Sequence, residues 1–159
     1  MTNTAGKADK DALRDFRHSL PMELLRAREA AMSRFRPVLR QHGLTEQQWR
    51  VVRALADSDQ IDASELARRS FLLAPSLTRI LQFLEKQKLV KRTPDRSDQR
   101  RSVLTLTAKG RQLFDAVGPD SEDRYAEIEA EFGHERLEAL YELLAAFYTT
   151  LGLADDRQQ

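Results

Sequence analysis

The stretch that most restricts how this chain can fold runs from Ile61 to Thr107 and reads IDASELARRSFLLAPSLTRILQFLEKQKLVKRTPDRSDQRRSVLTLT. It contains two short helical patterns parted by a tight turn, then an apolar-edged strand (Leu89–Thr93), a turn-rich basic loop and an alternating strand (Ser102–Leu106). Helix, turn, helix and a two-stranded ribbon predict a winged helix-turn-helix, a geometry that sets one helix into the major groove of duplex DNA. The ribbon tip is too polar to be core. From Lys91 to Arg111 the cations are Lys91, Arg92, Arg96, Arg100, Arg101, Lys109 and Arg111, opposed only by Asp95 and Asp98.

The net charge of +1 conceals this segment. Between Asp120 and Glu142 the balance reverses: Asp120, Glu122, Asp123, Glu127, Glu129, Glu131, Glu135, Glu138 and Glu142 face only Arg124 and Arg136. A basic working face on an acidic body is the expected arrangement. The absence of cysteine excludes disulfides, thiolate metal sites and thiol redox sensing. No run is apolar enough for a signal region or a membrane span, so a cytoplasmic protein is expected.

In chain order, residues 1–18 read as a polar tail whose end Phe16 anchors. Residues 20–41 read as a long helix with Met22, Leu25, Met32, Phe35 and Leu39 on one stripe. Pro37 should kink or restart it, and Gly43 ends it. Thr45 and Gln48 form a capping-box pattern for a second helix carrying Trp49, Val52, Leu55 and Ala56 inward. Asp62 and Glu65 repeat the pattern for a third, Ala63–Arg69, with Leu66 and Ala67 inward. Ala74–Lys86 is the candidate recognition helix: Leu77, Ile80, Leu81 and Leu84 share one face, leaving Ser76, Thr78, Arg79 and Gln82 outward. Short polar side chains and one arginine suit close approach to base edges; ordinary solvated positions are the bland alternative. In the loop, Asp98 stands two and three residues before paired arginines. It can hold Arg100 or Arg101 in one orientation and leave the other cation free to reach a phosphate or minor groove. Beyond Thr107 a helix to about Val117, a turn or sharp kink at Gly118–Pro119, and helix again from Ser121 are expected. Gly133 separates a last helix, residues 134–151, that is apolar around its girth. The fold class expected is mainly α with a small β-wing, the N- and C-terminal helices forming a dimerisation region.

These segments resemble the MarR family of dimeric winged-helix transcriptional regulators. The resemblance is carried by GLTEQQWRVVRAL, by SELARRSFLLAPSLTRILQFLEKQKLVKR and by PDRSDQRRSVLTLTAKG. Its most specific element is D-x-R-R followed by LT-x-x-G, here Asp98, Arg100, Arg101, Leu106, Thr107 and Gly110. It implies one MarR-like domain over residues 19–151, in which 45–107 form the winged helix-turn-helix, 19–42 and 108–151 the dimerisation helices, and 152–159 a tail. It further implies a homodimer on a palindromic operator, repression relieved by a small aromatic acid, and no cofactor. Within the family, AREAAMSRFRPVLRQHGLTEQQWRVVR is similar to regulators of homoprotocatechuate (4-hydroxyphenylacetate) degradation operons.

Two site sets follow. The DNA contacts expected are Ser64, Pro75, Ser76, Thr78, Arg79, Gln82, Arg96, Asp98, Arg100 and Arg101. The family's ligand cleft, carried over by position, falls on Arg28, His42, Trp49 and Arg53. There Arg28 could grip a carboxylate, Trp49 stack on a ring and His42 meet a phenol oxygen. The bland alternatives are that Trp49 is plain core, that His42 helps close its helix, and that Arg28 pairs with a carboxylate such as Glu23. Lys88 stands where the family commonly has glycine, and Phe83 where a polar residue is usual. A winged-helix DNA- or protein-binding module without small-molecule control is the competing class. An enzyme is not expected, since His18, His42 and His134 are not at metal-ligand spacing and no nucleophile or phosphate-loop motif is present.

Overall fold

The computed structural model describes residues 15–96, 98 and 101–152, and these fall into two compact units divided between Arg34 and Phe35. Most of both expected tails lies outside the described residues. In the first unit a single 3-10 turn, Phe16–His18, is capped by the Asp15 carboxylate, which accepts from the Arg17 amide. Phe16 is 70% exposed, so its ring is not packed into a core among the described residues. Helix α1, Leu20–Gln41, begins in this unit and ends in the second. It runs through Pro37 without restarting, so the helix tolerates both the loss of the bond that the missing N–H would give to the Ser33 carbonyl and the crowding at Arg36.

The second unit follows the expected order with two corrections. Helix α2, Glu46–Ala56, carries the full capping box: the Gln48 amide donates to Thr45 Oγ1 at 3.2 Å and the Thr45 amide to Gln48 Oε1 at 2.9 Å. Strand β1, Ile61–Asp62, leads into α3, Ala63–Ser70, whose cap is the Asp62 carboxylate accepting from the Glu65 amide at 2.8 Å. Helix α4 is Ala74–Lys86, and strands β2, Val90–Pro94, and β3, Ser102–Leu106, form the wing. The sheet has three antiparallel strands in the order β1-β3-β2, not the two expected. Ile61 pairs with Leu104 and Asp62 with Val103 on one side of β3, and Val90 pairs with Leu106 on the other. A two-residue strand is too short to show an alternating pattern, and this is why the sequence conceals it.

The second correction is at Gly118–Pro119. No turn forms there; α5 is one helix, Ala108–Phe132. Proline disfavours helix in the preceding residue because its Cδ strikes that residue's Cβ. Gly118 has no Cβ, which leaves only the single bond to the Asp115 carbonyl missing. Gly133, at φ 98°, then separates α5 from α6, His134–Thr150.

The core gathers Leu39, Val51, Val52, Leu55, Leu66, Leu81, Leu84, Leu104 and Val117. Two close approaches lock α5 to the end of α4. The Thr107 amide donates to the Leu89 carbonyl at 3.0 Å, and its hydroxyl donates to the Lys88 carbonyl at 2.7 Å while accepting from the Gly110 amide at 3.0 Å. Gly110 lies so near Leu89 that a Cβ there would stand 2.1 Å from the carbonyl oxygen. The LT-x-x-G motif is therefore a structural clasp. Lys88 takes φ 59°, the left-handed turn at which the family's glycine is at ease. On α6 only Leu137 is buried, while Leu140, Tyr141, Leu143 and Phe147, with Leu151 at its C-cap, stay exposed in the single chain. Among the described residues no helix is long and apolar enough to cross a membrane.

Candidate DNA-binding surface and ligand site

Helix α4 buries Leu77, Ile80, Leu81 and Leu84 and turns Pro75, Thr78, Arg79 and Gln82 outward, with Ser76 half-buried. Thr78 Oγ1 donates to the Ala74 carbonyl at 2.9 Å, so the hydroxyl proton is used within the helix. Its methyl and oxygen lone pairs remain presentable. Among the described residues no acid is set against the Arg79 guanidinium. Ser64 is exposed in the first turn of α3, and Phe83 borders the outward face of α4, 37% exposed.

On the wing, Arg96 and Asp98 are exposed, whereas Arg100 lies outside the described residues. Arg101 is held, but the carboxylate set against it is Asp62: Arg101 Nη2 donates to Asp62 Oδ2 at 2.5 Å. The loop itself closes through backbone bonds from the Arg101 amide to the Asp98 carbonyl, 2.9 Å, and from the Asp95 amide to the Arg101 carbonyl, 2.8 Å. Asp62 thus caps α3 with one oxygen and holds the wing with the other. The Glu65 amide, followed by the Arg101 guanidinium, keeps the Asp62 carboxyl below the usual carboxylate range. Glu65 is gripped by Arg68 and then Arg69, at 2.7 Å each, and is lowered to about 2. Charge on α3 is in this way fixed beside the helix that faces outward.

Three of the four expected ligand residues lie in the second unit, and each meets a residue of α5. His42 Nε2 is 3.0 Å from Asp120 Oδ2. Trp49, only 8% exposed, stacks on Phe114 with centroids 5.7 Å apart and planes at 26°. Arg53 Nη1 points at the Tyr125 hydroxyl at 3.4 Å, and the Tyr125 ring packs on Phe35 with centroids 4.8 Å apart. Tyr141 stands close enough to be affected: burial, and then Tyr125, raise its phenol pKa. Arg28 belongs to the first unit, where its Nη1 meets Glu29 Oε1 at 2.9 Å, while Glu23 is taken by Arg26. Arg53 also lines an open cleft of about 910 Å³, with Arg50, Arg69, Asp57 and Asp59 around it. Neither Trp49 nor His42 borders that cleft, so its size alone does not mark the aromatic cluster.

Sequence reasoning missed Phe114, Asp120 and Tyr125. The signal was present: Phe114, Val117, Ser121 and Tyr125 recur at spacings of three and four, one helical face. Reading a turn or sharp kink at Gly118–Pro119 cut that face in two.

Comparison with known proteins agrees with this architecture. The model of the MarR family matches residues 42–101. The homoprotocatechuate degradative operon repressor of Escherichia coli is 45% identical over 141 residues, 89% of this chain and 93% of the relative. The crystal structure of NadR in complex with 4-hydroxyphenylacetate is 42% identical, covers 85% of this chain and 96% of its own, and superposes with a TM-score of 0.73. CouR, a transcriptional repressor bound to a 23-mer DNA duplex, is 26% identical over 86% of this chain and 98% of its own, with a TM-score of 0.77. A winged helix with this order of helices, and identity of this extent along nearly the whole chain, leads to one conclusion: the chain belongs to the MarR family of helix-turn-helix transcriptional regulators.

Proposed function

We propose that the chain is a cytoplasmic, dimeric repressor whose grip on a palindromic operator is relieved by a small phenolic acid of the 4-hydroxyphenylacetate or homoprotocatechuate type. In this reading residues 45–107 read DNA, and residues 19–42 with 108–151 hold two copies together. Each α4 enters one half-site through Pro75, Ser76, Thr78, Arg79 and Gln82, and Ser64 contacts the backbone beside it. Arg96, Asp98, Arg100 and Arg101 carry the wing to the flanking phosphates or minor groove. The exposed apolar side chains of α6 support the dimer, since a second copy would cover them.

The observation that carries the ligand reading is the facing pair Arg53 and Tyr125, a guanidinium and a phenol 3.4 Å apart beside the stacked Trp49 and Phe114. A carboxylate bridging the two would replace one long contact with two charge-assisted or strong hydrogen bonds, while a ring finds an aromatic wall. Arg28 and His42 complete the candidate set. The names of the relatives support the ligand class, because one represses a homoprotocatechuate operon and another was crystallised with 4-hydroxyphenylacetate. A ligand acts only by binding the DNA-competent and incompetent arrangements differently.

The burial of Trp49 and its existing stack on Phe114 favour a second reading, in which this cluster is plain core and the protein binds DNA without small-molecule control. One titration decides between them. Fluorescence anisotropy on the DNA flanking the protein's own gene, with and without each acid, should show tight selective binding that the acid weakens. Arg53→Ala should abolish the acid's effect and keep the DNA affinity. Selective binding indifferent to both acids would leave the second reading standing.

A further inference from the structure

Two positions at the front of α4 break local rules that its neighbours keep. Phe71 ends α3 at φ 49°, ψ 48°, with its own amide donating to the Arg68 carbonyl at 3.2 Å and the Leu72 amide reaching back to Ala67 at 3.0 Å. This is the left-handed helix cap that glycine or asparagine fills, and a bulky aromatic there is an outlier. Two residues on, Leu73 is the N-cap of α4 and no side chain caps that helix. Helices α2, α3 and α5 are all capped by a side chain, from Thr45, Asp62 and Thr107. Leucine is among the poorest choices for such a position.

Burial does not compensate for either fault. Phe71 is 69% exposed and Leu73 78%. Among the described residues no ring or cation is set against Phe71. A strained aromatic and an uncapped helix start, both covered by water, are local conflicts of the kind found where a chain meets something outside itself.

What meets them is constrained by their surroundings. Both lie exposed in the turn that leads into α4, four and two residues before Pro75, and the exposed side chains of that helix include Thr78 and the acid-free Arg79. The partner of that face must carry negative charge for Arg79 and offer apolar groups for Phe71 and Leu73. Duplex DNA does both, because its major groove presents the thymine C5-methyl beside the phosphates. We propose that Phe71 and Leu73 form an apolar lip that reads thymine methyl groups at the edge of each half-site, making them specificity-determining residues. The proposal rests on the DNA-binding reading above.

The test uses the full-length protein and a duplex that the wild type selects from a random pool. Phe71→Gly relieves the left-handed strain and Leu73→Ser supplies the missing cap, so both variants should melt higher than wild type. Both should nevertheless bind the selected duplex roughly tenfold more weakly, the scale of one lost apolar base contact. The salt dependence should not change, because no phosphate contact is removed. Replacing thymines one at a time by uracil, which lacks only the methyl, should weaken wild-type binding at one or more positions in each half-site. The same replacement should have no further effect on the matching variant. Unchanged affinity in both variants would overturn the proposal, and so would wild-type indifference to every uracil. A loss traced by sedimentation to dissociation of the dimer would overturn it as well, placing these side chains against a second copy. If the wild type selects no sequence at all, the DNA-binding reading fails first and takes this inference with it.

Discussion

Gly110→Ala is the sharpest test of how the body of this protein is clasped. Alanine would normally improve a helix interior by up to ~1 kcal/mol over glycine. Here the new Cβ would stand 2.1 Å from the Leu89 carbonyl oxygen, 3.0 Å from its carbon and 3.2 Å from Leu106 Cδ2. The first two are backbone atoms, so no rotamer change relieves the clash. Withdrawing the Leu89 carbonyl would stretch its bond from the Thr107 amide, and shifting α5 would strain the cap between Thr107 Oγ1 and the Gly110 amide. Overpacking of this kind costs about 1–3 kcal/mol, and a weakened N-cap adds roughly 1 kcal/mol. Set against the helix gain, the net loss is about 1–3 kcal/mol. For a chain of this length that corresponds to a fall in Tm of roughly 3–10 °C. Thermal unfolding followed by circular dichroism, at one fixed protein concentration because a dimer's Tm depends on it, measures this directly. A variant as stable as wild type, or more so, would refute the reading of LT-x-x-G as a close-approach clasp.

The neighbouring turn should respond in the opposite sense: Lys88→Gly removes a side chain held at φ 59° and should raise stability by up to ~1 kcal/mol, read from the urea midpoint at constant m-value. Glu65, lowered to about 2 by Arg68 and Arg69, is a depressed carboxylate. Its contribution is therefore complete above the ordinary glutamate value of 4.5 and is lost as pH falls from there towards 2. The Tm of Glu65→Gln should accordingly fall less steeply with acid than that of wild type across this window, and parallel curves would show that the arginine grip contributes nothing. Arg101→Ala breaks an exposed ion pair with Asp62, so it should change stability by less than ~1 kcal/mol. It should also weaken operator binding and lower the slope of log K against log salt by roughly one, a result that unchanged slope would contradict.

Much of this fold was legible because its information is local. Capping residues announce helix starts within four positions, and Thr45, Asp62 and Thr107 each cap the helix expected of them. The apolar stripe of α4 fixes both its bounds and its inner face. What escaped depends on pairs of signals whose net effect is not local. Glycine and proline together read as a turn or sharp kink, yet α5 runs through Gly118–Pro119 as α1 runs through Arg36–Pro37, each proline removing one intrahelical bond from a long helix. Asp98 was expected to hold Arg100 or Arg101, and Arg100 lies outside the described residues. The fold sets Asp62 against Arg101 across 39 positions, and no spacing rule could have indicated that.

The same limit explains why the two candidate sites differ in legibility. The DNA-facing surface lies on consecutive elements, so a charge run and one helix's outward face nearly define it. The aromatic cluster is assembled from α2 and α5, more than sixty positions apart along the chain, and only its α2 half carried a recognisable pattern. Yet α5 is where the two sites join mechanically. Its first turn is clasped to the Lys88 and Leu89 carbonyls at the end of α4, and its middle supplies Phe114, Asp120 and Tyr125. On the proposed function, an acid that pulls Tyr125 and Arg53 onto one carboxylate biases the position of a rigid helix whose other end sets the base of the recognition helix. A coupling of about 1–3 kcal/mol between the sites would suffice for a five- to 150-fold change in operator affinity. The clasp matters to that coupling, because a helix free to slide at Gly110 could accommodate a ligand without moving α4.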